Sequence, residues 1–127
     1  MKGPRILVVD DDQDTVQLLT SLLQTAGYTV LAAIDPSQAV MQAQRERPAL
    51  ILTDILMPAG GGLSVLKRLK MSTKTGTIPI IVLTASGDRE IEAQSLAAGA
   101  IRFFRKPCDN AVLLDAIKTA LSGEGER

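Results

Sequence analysis

The feature that most constrains the fold is a regular alternation of short apolar runs with longer segments of helical period. There are five of each, and the predicted strands lie at about residues 5–10, 28–33, 49–54, 79–84 and 101–105. Strands that alternate with helices form parallel sheets, and short runs of β-branched residues suit strands that are buried on both faces. The sequence therefore predicts an α/β fold in which helices cover one parallel sheet.

The predicted helices have recognisable ends. They cover about residues 13–26, 36–47, 88–98 and 110–122, with a further helix that contains residues 63–69. Asp35 and Asp109 suit the N-caps of the second and fifth helices, while Gly27 and Gly99 suit the left-handed positions that end the first and fourth. Three consecutive glycines at residues 60–62 leave the start of the third helix loosely specified.

Length and composition favour one cytosolic domain. The chain has 127 residues, a net charge of zero, one Cys and no apolar run long enough to cross a bilayer. Zero charge gives no support to direct binding of nucleic acid or of a membrane, and no signal peptide is visible. We expect one domain over residues 1–122, with residues 123–127 as a disordered tail or the start of a linker. Met1 suggests a true N-terminus.

Three acids close two of the predicted strands. Asp10 and Asp11 end the first strand and Asp54 ends the third. If these strands are neighbours, their carboxylates meet at one edge, and two unit charges about 4 Å apart repel by roughly 4 kcal/mol at an effective dielectric of 20. Such a cluster needs a cation. Hard oxygen ligands, in a chain without His, favour Mg²⁺ beside a phosphoryl group.

Two further polar residues stand at the same predicted edge. Thr84 ends the fourth strand and Lys106 follows the fifth. Ligands of open α/β sheets bind beyond the carboxyl ends of the strands, where the strand order reverses. Each residue alone would suggest a backbone-bonded hydroxyl or a solvated lysine, but their position beside the acids predicts a functional site.

Four motifs in this order resemble the receiver domain of bacterial response regulators. They are Val8-Val9-Asp10-Asp11, Thr53-Asp54 with Met57-Pro58, Val82-Leu83-Thr84-Ala85-Ser86, and Phe103-Phe104-Arg105-Lys106-Pro107. The resemblance covers nearly the whole chain. It implies a flavodoxin-like, doubly wound (βα)5 three-layer sandwich with strand order 2-1-3-4-5.

The resemblance assigns the site residues. Asp54 would be the phosphoacceptor, which takes a phosphoryl group from a phosphohistidine and forms an acyl phosphate. Asp11, Asp54 and the backbone carbonyl of Leu56 would bind Mg²⁺, or alternatively Mn²⁺, while Asp10 would act mainly through bound water. Lys106 would pair with the carboxylate at rest and with a phosphoryl oxygen afterwards. The protein would catalyse only its own phosphorylation and dephosphorylation, so it would not be an enzyme.

The family also implies a switch. Thr84 would move toward the phosphoryl group while Phe103 turns inward, although Phe103 taken alone is better explained as a core residue. The face formed by the fourth helix, the fifth strand and the fifth helix would then carry output or homodimerisation. Phosphorylation can act only by as much as it favours one arrangement over the other.

The expected partner is a sensor histidine kinase or a phosphotransfer protein. The resemblance places its docking at Asp14, Thr15, Leu18 and Pro107. Nucleic acid would be contacted only through an output domain that is absent from this chain.

The chain departs from the family pattern at two places. An Ala-Gly-Gly-Gly run at residues 59–62 stands where relatives commonly have an Asp before one Gly, and Cys108 stands where Phe is common. Leu56 and Ser86 occupy positions that tune dephosphorylation in the family. Because an apolar Leu56 cannot orient an attacking water, we expect a fairly long-lived acyl phosphate.

Other interpretations of the acids remain open. The dipole of the first helix favours negative charge at its N-terminus, and this alone could account for Asp10, Asp11, Asp12 and Asp14. For Asp12 and Asp14 individually a capping role is preferred. The segment Asp12-Gln13-Asp14-Thr15-Val16 matches the nucleophile motif of haloacid-dehalogenase-like phosphatases, but it starts two residues after the strand end. A calcium loop fails because Thr15 and Ser21 replace the required Gly and Glu. A receiver-shaped interaction module that is never phosphorylated is the remaining alternative.

Overall fold

Five strands and five helices alternate through the described part of the chain. This computed structural model describes residues 3–56, 62–85 and 88–123. The strands are β1 (Arg5–Val9), β2 (Thr29–Ala33), β3 (Leu50–Thr53), β4 (Ile80–Thr84) and β5 (Arg102–Arg105). The helices are α1 (Gln13–Thr25), α2 (Pro36–Glu46), α3 (Gly62–Met71), α4 (Arg89–Ala97) and α5 (Asn110–Ser122). The strand bounds differ from the predicted ones by no more than one residue at either end.

The predicted caps explain where most helices begin and end. Asp35 accepts a hydrogen bond from the backbone N–H of Gln38 at the start of α2, and Asp109 accepts two at the start of α5. Gly27 and Gly99 have φ angles of 101° and 118°, in the left-handed region that glycine adopts without steric cost. Helix α2 ends differently, because its left-handed C-cap is Arg47, with φ 45°.

The sheet is parallel and has the predicted order β2-β1-β3-β4-β5. In this order β1 lies between β2 and β3, so the strand order reverses next to it. Val9 pairs with Thr53 of β3, and Thr53 pairs with Val82 of β4. β1 and β3 therefore end level with each other, and β4 continues for two residues beyond the last pair, to Thr84.

Alternate residues of the central strands point to two separate apolar cores. Leu7, Val9, Ile51, Ile80 and Val82 pack with α2 and α3 on one face. On the other face the strands pack with α1 and α5, through the buried residues Ile6, Val8, Leu50, Leu52, Ile81, Leu83, Leu19, Leu23, Leu113, Ala116, Ile117 and Ala120. Full burial of each large aliphatic side chain contributes roughly 1.5–3 kcal/mol. This two-sided burial makes the fold the predicted three-layer sandwich.

Several predicted features lie outside the described residues. They are Met57, Pro58, most of the glycine run, Ser86 and the tail from residue 124 onward. In the described ranges, no helix combines the length and hydropathy that a membrane span requires.

Candidate functional site

The ends of β1 and β3 hold two carboxylates side by side. Asp10 and Asp54 directly follow the paired residues Val9 and Thr53. The Asp54 backbone N–H donates to the Val9 carbonyl at 2.8 Å, and that of Asp10 donates to Ala33 of β2 at 3.1 Å. Both acids are almost fully buried, with 2% of Asp10 and 7% of Asp54 exposed. Adjacent buried carboxylates of this kind require positive charge close to them.

Lys106 supplies that charge from the end of β5. Its Nζ atom lies 2.7 Å from Asp10 Oδ2 and 3.0 Å from Asp54 Oδ2. The Lys106 backbone N–H donates to the Thr84 carbonyl at 2.8 Å, which fixes the base of the side chain against β4. Burial lowers the pKa of Lys106, but its hydrogen bonds and its attraction to the two carboxylates outweigh this, and the pKa is raised above 10.5. The ammonium is therefore charged at physiological pH.

The second oxygen of each carboxylate is bound to backbone two residues further on. Asp10 Oδ1 accepts from the N–H of Asp12, and Asp54 Oδ1 accepts from the N–H of Leu56, both at 2.9 Å. Short Asp side chains commonly bond the backbone in this way. Each carboxylate is thus held at both oxygens, with Oδ2 directed to Lys106.

Thr53 adds a contact that our sequence interpretation did not identify. Its Oγ1 donates to the backbone carbonyl of Asp54 at 2.8 Å, and only 2% of Thr53 is exposed. A polar residue that ends an otherwise apolar strand, directly before an Asp, is the signal that could have indicated it. The hydroxyl fixes the peptide group that follows Asp54.

The side chain of Thr84 is fully buried beside this centre. Among the described residues its Oγ1 atom has no hydrogen-bond partner. A buried hydroxyl without a partner costs about 1–3 kcal/mol, so such groups are uncommon in folded proteins. The structure therefore contains a hydroxyl donor at the predicted site that is available for a further contact.

Phe103 pairs with Val82 in the β4–β5 register. Its ring is partly buried and packs against the core cluster on the α2 and α3 face. This position is compatible with the core role that its residue type favours.

The predicted carboxylates are only partly brought together. Asp11 is exposed, whereas Asp10 and Asp54 are buried around Lys106. Within the described ranges, no group of three or more His, Cys, Asp or Glu residues is arranged to hold a metal ion. The donor chemistry nevertheless fits Mg²⁺, because two carboxylates share one ammonium and Asp11 adds a further negative charge next to Asp10.

Asp12 has a capping role, as its position in the sequence suggested. Its carboxylate accepts from the Asp14 N–H at 3.1 Å and from the Thr15 hydroxyl at 2.8 Å, at the N-cap of α1. It is exposed and lies two residues past the acid that closes β1. This arrangement gives no support to Asp12 as a phosphatase nucleophile.

Three of the four predicted docking residues line one crevice. Thr15, Leu18 and Pro107 border a crevice of about 270 Å³ whose lining also includes Lys106 and Cys108. Leu18 is 73% exposed. Asp14 lies outside this crevice and borders a neighbouring cavity together with Leu18.

Cys108 lies at the edge of this crevice and is partly buried. Burial and the neighbouring carboxylate of Asp109 raise the pKa of the thiol, whereas Arg102 opposes them by attracting the thiolate. A raised pKa reduces the thiolate fraction, so Cys108 has the properties of an unreactive thiol.

Comparison with known proteins gives a consistent result. The sequence profile of the response regulator receiver domain matches residues 6–118. The response regulator PleD of Caulobacter vibrioides is 37% identical over 115 residues, which are 91% of this chain and 25% of PleD. Protein PilH of Pseudomonas aeruginosa is 33% identical over 94% of this chain and 98% of PilH. The chain spans a quarter of PleD and about half of other matched regulators.

Solved structures show the same similarity. A response regulator from Chloroflexus aurantiacus superposes with a TM-score of 0.90 and 32% identity, over 95% of this chain and 99% of that one. The receiver domain of a sensor histidine kinase from Pseudomonas aeruginosa has a TM-score of 0.87 and 29% identity, over 94% and 98% of the two chains. That protein was solved with a magnesium ion coordinated in its active site cleft.

Proposed function

This chain belongs to the response regulator receiver domain family, and we propose that it is the phosphorylation-dependent switch of a two-component system. The observation that carries this proposal is the contact of one ammonium, that of Lys106, with the buried carboxylates of Asp10 and Asp54. A buried acid pair on one cation, at the point where the strand order reverses, is an arrangement suited to phosphoryl transfer.

Asp54 is the proposed phosphoacceptor. One carboxylate oxygen attacks the phosphorus of a phosphohistidine on a partner, an O–P bond forms, and the P–N bond to the imidazole breaks. A carboxylate is a modest nucleophile, so the reaction depends on alignment and on charge neutralisation around the transferred group. The contacts of Asp54 with Leu56 N–H and with Lys106 supply the alignment. Lys106 can then turn to a phosphoryl oxygen without leaving its position at the end of β5.

Mg²⁺ is the proposed metal, with Mn²⁺ as an alternative. Asp10, Asp11, Asp54 and the backbone carbonyl of Leu56 would hold it, with Asp10 acting mainly through water. When bound, the ion would neutralise negative charge on the carboxylates and the phosphoryl oxygens. The net negative charge of the Asp10, Asp54 and Lys106 group, with Asp11 beside it, supports this proposal.

The proposed switch uses Thr84 and Phe103. The buried Thr84 hydroxyl, which has no hydrogen-bond partner within the described ranges, would donate to a phosphoryl oxygen, and this contact would remove the cost of its isolation. Phe103 would turn inward as Thr84 moves. Such a change would alter the face formed by α4, β5 and α5, which we propose as the surface for output or for homodimerisation. Phosphorylation can shift the populations of the two arrangements only by the free energy with which it favours one over the other.

The proposed partner is a sensor histidine kinase or a phosphotransfer protein, which docks on Asp14, Thr15, Leu18 and Pro107. The exposed Leu18 at an apolar crevice that reaches Lys106 supports this surface. We propose a cytoplasmic location, where such a kinase domain is accessible. Contact with nucleic acid is proposed only through an output domain on another part of the protein.

The experiment that tests this function is incubation of the purified protein with acetyl phosphate and Mg²⁺, followed by its intact mass. A gain of one phosphoryl group that is reversed by hydroxylamine, which cleaves acyl phosphates, is expected. A mass that does not change under these conditions, while a known receiver domain in the same buffer is phosphorylated, would contradict the proposal.

A further inference from the structure

We propose that Thr53 is a positioning residue for the Asp54 nucleophile. The inference rests on the proposed function, since it concerns how this chain holds the phosphoacceptor. The observation behind it is the hydrogen bond from Thr53 Oγ1 to the backbone carbonyl of Asp54, at 2.8 Å in a buried setting.

The contact occurs where regular pairing stops. Thr53 is the last residue of β3, and its pairs with Val9 and Val82 are the last of the two ladders. Asp54 still donates its N–H to the Val9 carbonyl, so the peptide group before it is fixed by the sheet. The peptide group after Asp54 lies beyond the strand, and Thr53 holds it by its carbonyl oxygen.

With this bond, every polar atom of Asp54 has a partner. Its N–H is bound to Val9, its carbonyl to Thr53, its Oδ1 to the Leu56 N–H and its Oδ2 to Lys106. The Leu56 N–H that donates to Oδ1 is two residues further along the same backbone. The orientation of the peptide between Asp54 and Ile55 therefore determines where this donor lies and how the carboxylate is aimed.

Burial makes this bond difficult to replace. Thr53, Asp54 and Ile55 are all buried, so water has little access to the Asp54 carbonyl. If the hydroxyl is removed, the carbonyl must either remain unpaired or rotate toward another donor. Rotation would carry Ile55 and Leu56 with it. Because reacting groups need near-attack geometry, a displacement of about 1 Å would slow the transfer.

The residue type at position 53 serves both strand and site. A β-branched side chain suits the buried end of a strand, and the hydroxyl of Thr is on the same carbon as its methyl group. Val would keep this shape and lose only the donor. Ser would keep the donor and lose only the methyl group. The two substitutions therefore separate hydrogen bonding from packing.

The chain also contains a matched control. Thr75 is a second fully buried threonine, and its Oγ1 donates to the backbone carbonyl of Leu69 at 2.6 Å. That bond joins the connection between α3 and β4 to the last turn of α3. Thr75→Val thus removes the same kind of hydrogen bond at a position with no contact to Asp54, Asp10 or Lys106.

The test compares wild type, Thr53→Val, Thr53→Ser and Thr75→Val. Initial phosphorylation rates are measured by intact mass over a range of acetyl phosphate concentrations at saturating Mg²⁺, and thermal midpoints are recorded for all four proteins. We expect Thr53→Val to lower the maximal rate about tenfold with little change in the donor concentration at half-maximal rate. Thr53→Ser should stay within about twofold of wild type. Thr75→Val should lower the thermal midpoint but leave the rate unchanged.

The outcomes are distinguishable. A Thr53→Val protein that reacts at the wild-type rate, or a Thr53→Ser protein as slow as Thr53→Val, would overturn the positioning role while leaving the proposed function intact. An equal rate loss in Thr75→Val would also overturn it, because the effect would then follow from stability alone. A wild-type protein that takes no phosphoryl group would overturn the proposed function and this inference together.

Discussion

Lys106 Nζ lies 3.0 Å from Asp54 Oδ2, so a residue at the end of β5 is bound directly to the acid at the end of β3. The same ammonium lies 2.7 Å from Asp10 Oδ2. One cation therefore bridges acids from two neighbouring strands, across the strand β4 that separates β3 from β5. Most of the expected behaviour of this site follows from the imbalance of two buried carboxylates and one ammonium.

Neutralising one acid should stabilise the resting protein. We expect Asp54→Asn to raise the free energy of unfolding by about 1 kcal/mol, because Asn keeps an acceptor for the Leu56 N–H and removes one of two adjacent buried charges. Urea unfolding of wild type and Asp54→Asn measures this difference in the free energy of unfolding. Asp109→Asn is the matched control, since Asn caps a helix as well as Asp does. A loss of stability in Asp54→Asn would mean that the pairing with Lys106 outweighs the repulsion between the acids.

Removing the ammonium should have the opposite effect. We expect Lys106→Met to lower the free energy of unfolding by about 1–3 kcal/mol at neutral pH, since it leaves two buried carboxylates unpaired. The figure is below that of a fully buried pair, because 23% of the Lys106 side chain is exposed. Urea unfolding again gives the measurement, with the exposed Lys118→Met as control. Adding Asp54→Asn to Lys106→Met should recover part of the loss, and failure to do so would contradict the account.

Thr84 should contribute nothing to resting stability through its hydroxyl. We expect Thr84→Val to be as stable as wild type, or up to about 1 kcal/mol more stable, because the side chain is buried and Oγ1 has no partner among the described residues. Thermal unfolding of Thr84→Val and Thr75→Val tests this expectation. Thr75→Val is the comparison because it loses a hydrogen bond that is present in the structure. After phosphorylation, hydrogen exchange over residues 102–105 should change in wild type but not in Thr84→Val. A clear loss of resting stability in Thr84→Val would show that the hydroxyl is already bound.

Cys108 should react slowly at neutral pH. Since burial and Asp109 raise the pKa of its thiol above 9.0, little thiolate is present near pH 7. We expect its alkylation by iodoacetamide to be slower than that of a free cysteine at pH 7.5 and to rise steeply through pH 9 and beyond. Arg102→Gln should slow the reaction further and Asp109→Asn should speed it. A rate that is independent of pH between 7 and 9 would contradict the direction of this shift.

The docking proposal predicts a separation between two kinds of phosphodonor. Leu18→Asp places a charge on the exposed apolar residue of the crevice, so we expect transfer from a phosphorylated histidine kinase to fall at least tenfold. Phosphorylation by acetyl phosphate should be unchanged, because Leu18 has no contact with Asp54. Val112→Asp is the control, because Val112 is another exposed apolar residue, with 47% of it exposed on α5. Equal loss with both donors would exclude Leu18 as a docking residue.

The fold could be predicted because its signals are local. Strand lengths, Asp35 and Asp109 as caps, and Gly27 and Gly99 at helix ends follow from short-range sequence patterns. Arg47 was not identified as a left-handed C-cap, since glycine is the usual signal for that conformation. The strand order followed from the family resemblance rather than from any local pattern.

The sequence indicated which polar residues stand at one edge of the sheet, but not which contacts they make. Strand ends brought Asp10, Asp54, Thr84 and Lys106 to one edge, as expected for parallel strands in register. The division of Lys106 between two acids, the exposure of Asp11 and the bond from Thr53 depend on side-chain directions. These directions are set by packing between segments that are distant in the sequence. A prediction made strand by strand has no information about that packing.

The measurement that tests the central claim most directly is the location of the phosphoryl group. Wild type, Asp54→Asn and Asp11→Asn would be incubated with acetyl phosphate, with and without Mg²⁺, and examined by intact mass. We predict one added phosphoryl group in wild type that depends on Mg²⁺, none in Asp54→Asn, and a slower gain in Asp11→Asn. Unchanged phosphorylation of Asp54→Asn would show that another residue is the acceptor, and would contradict the mechanism proposed for this site.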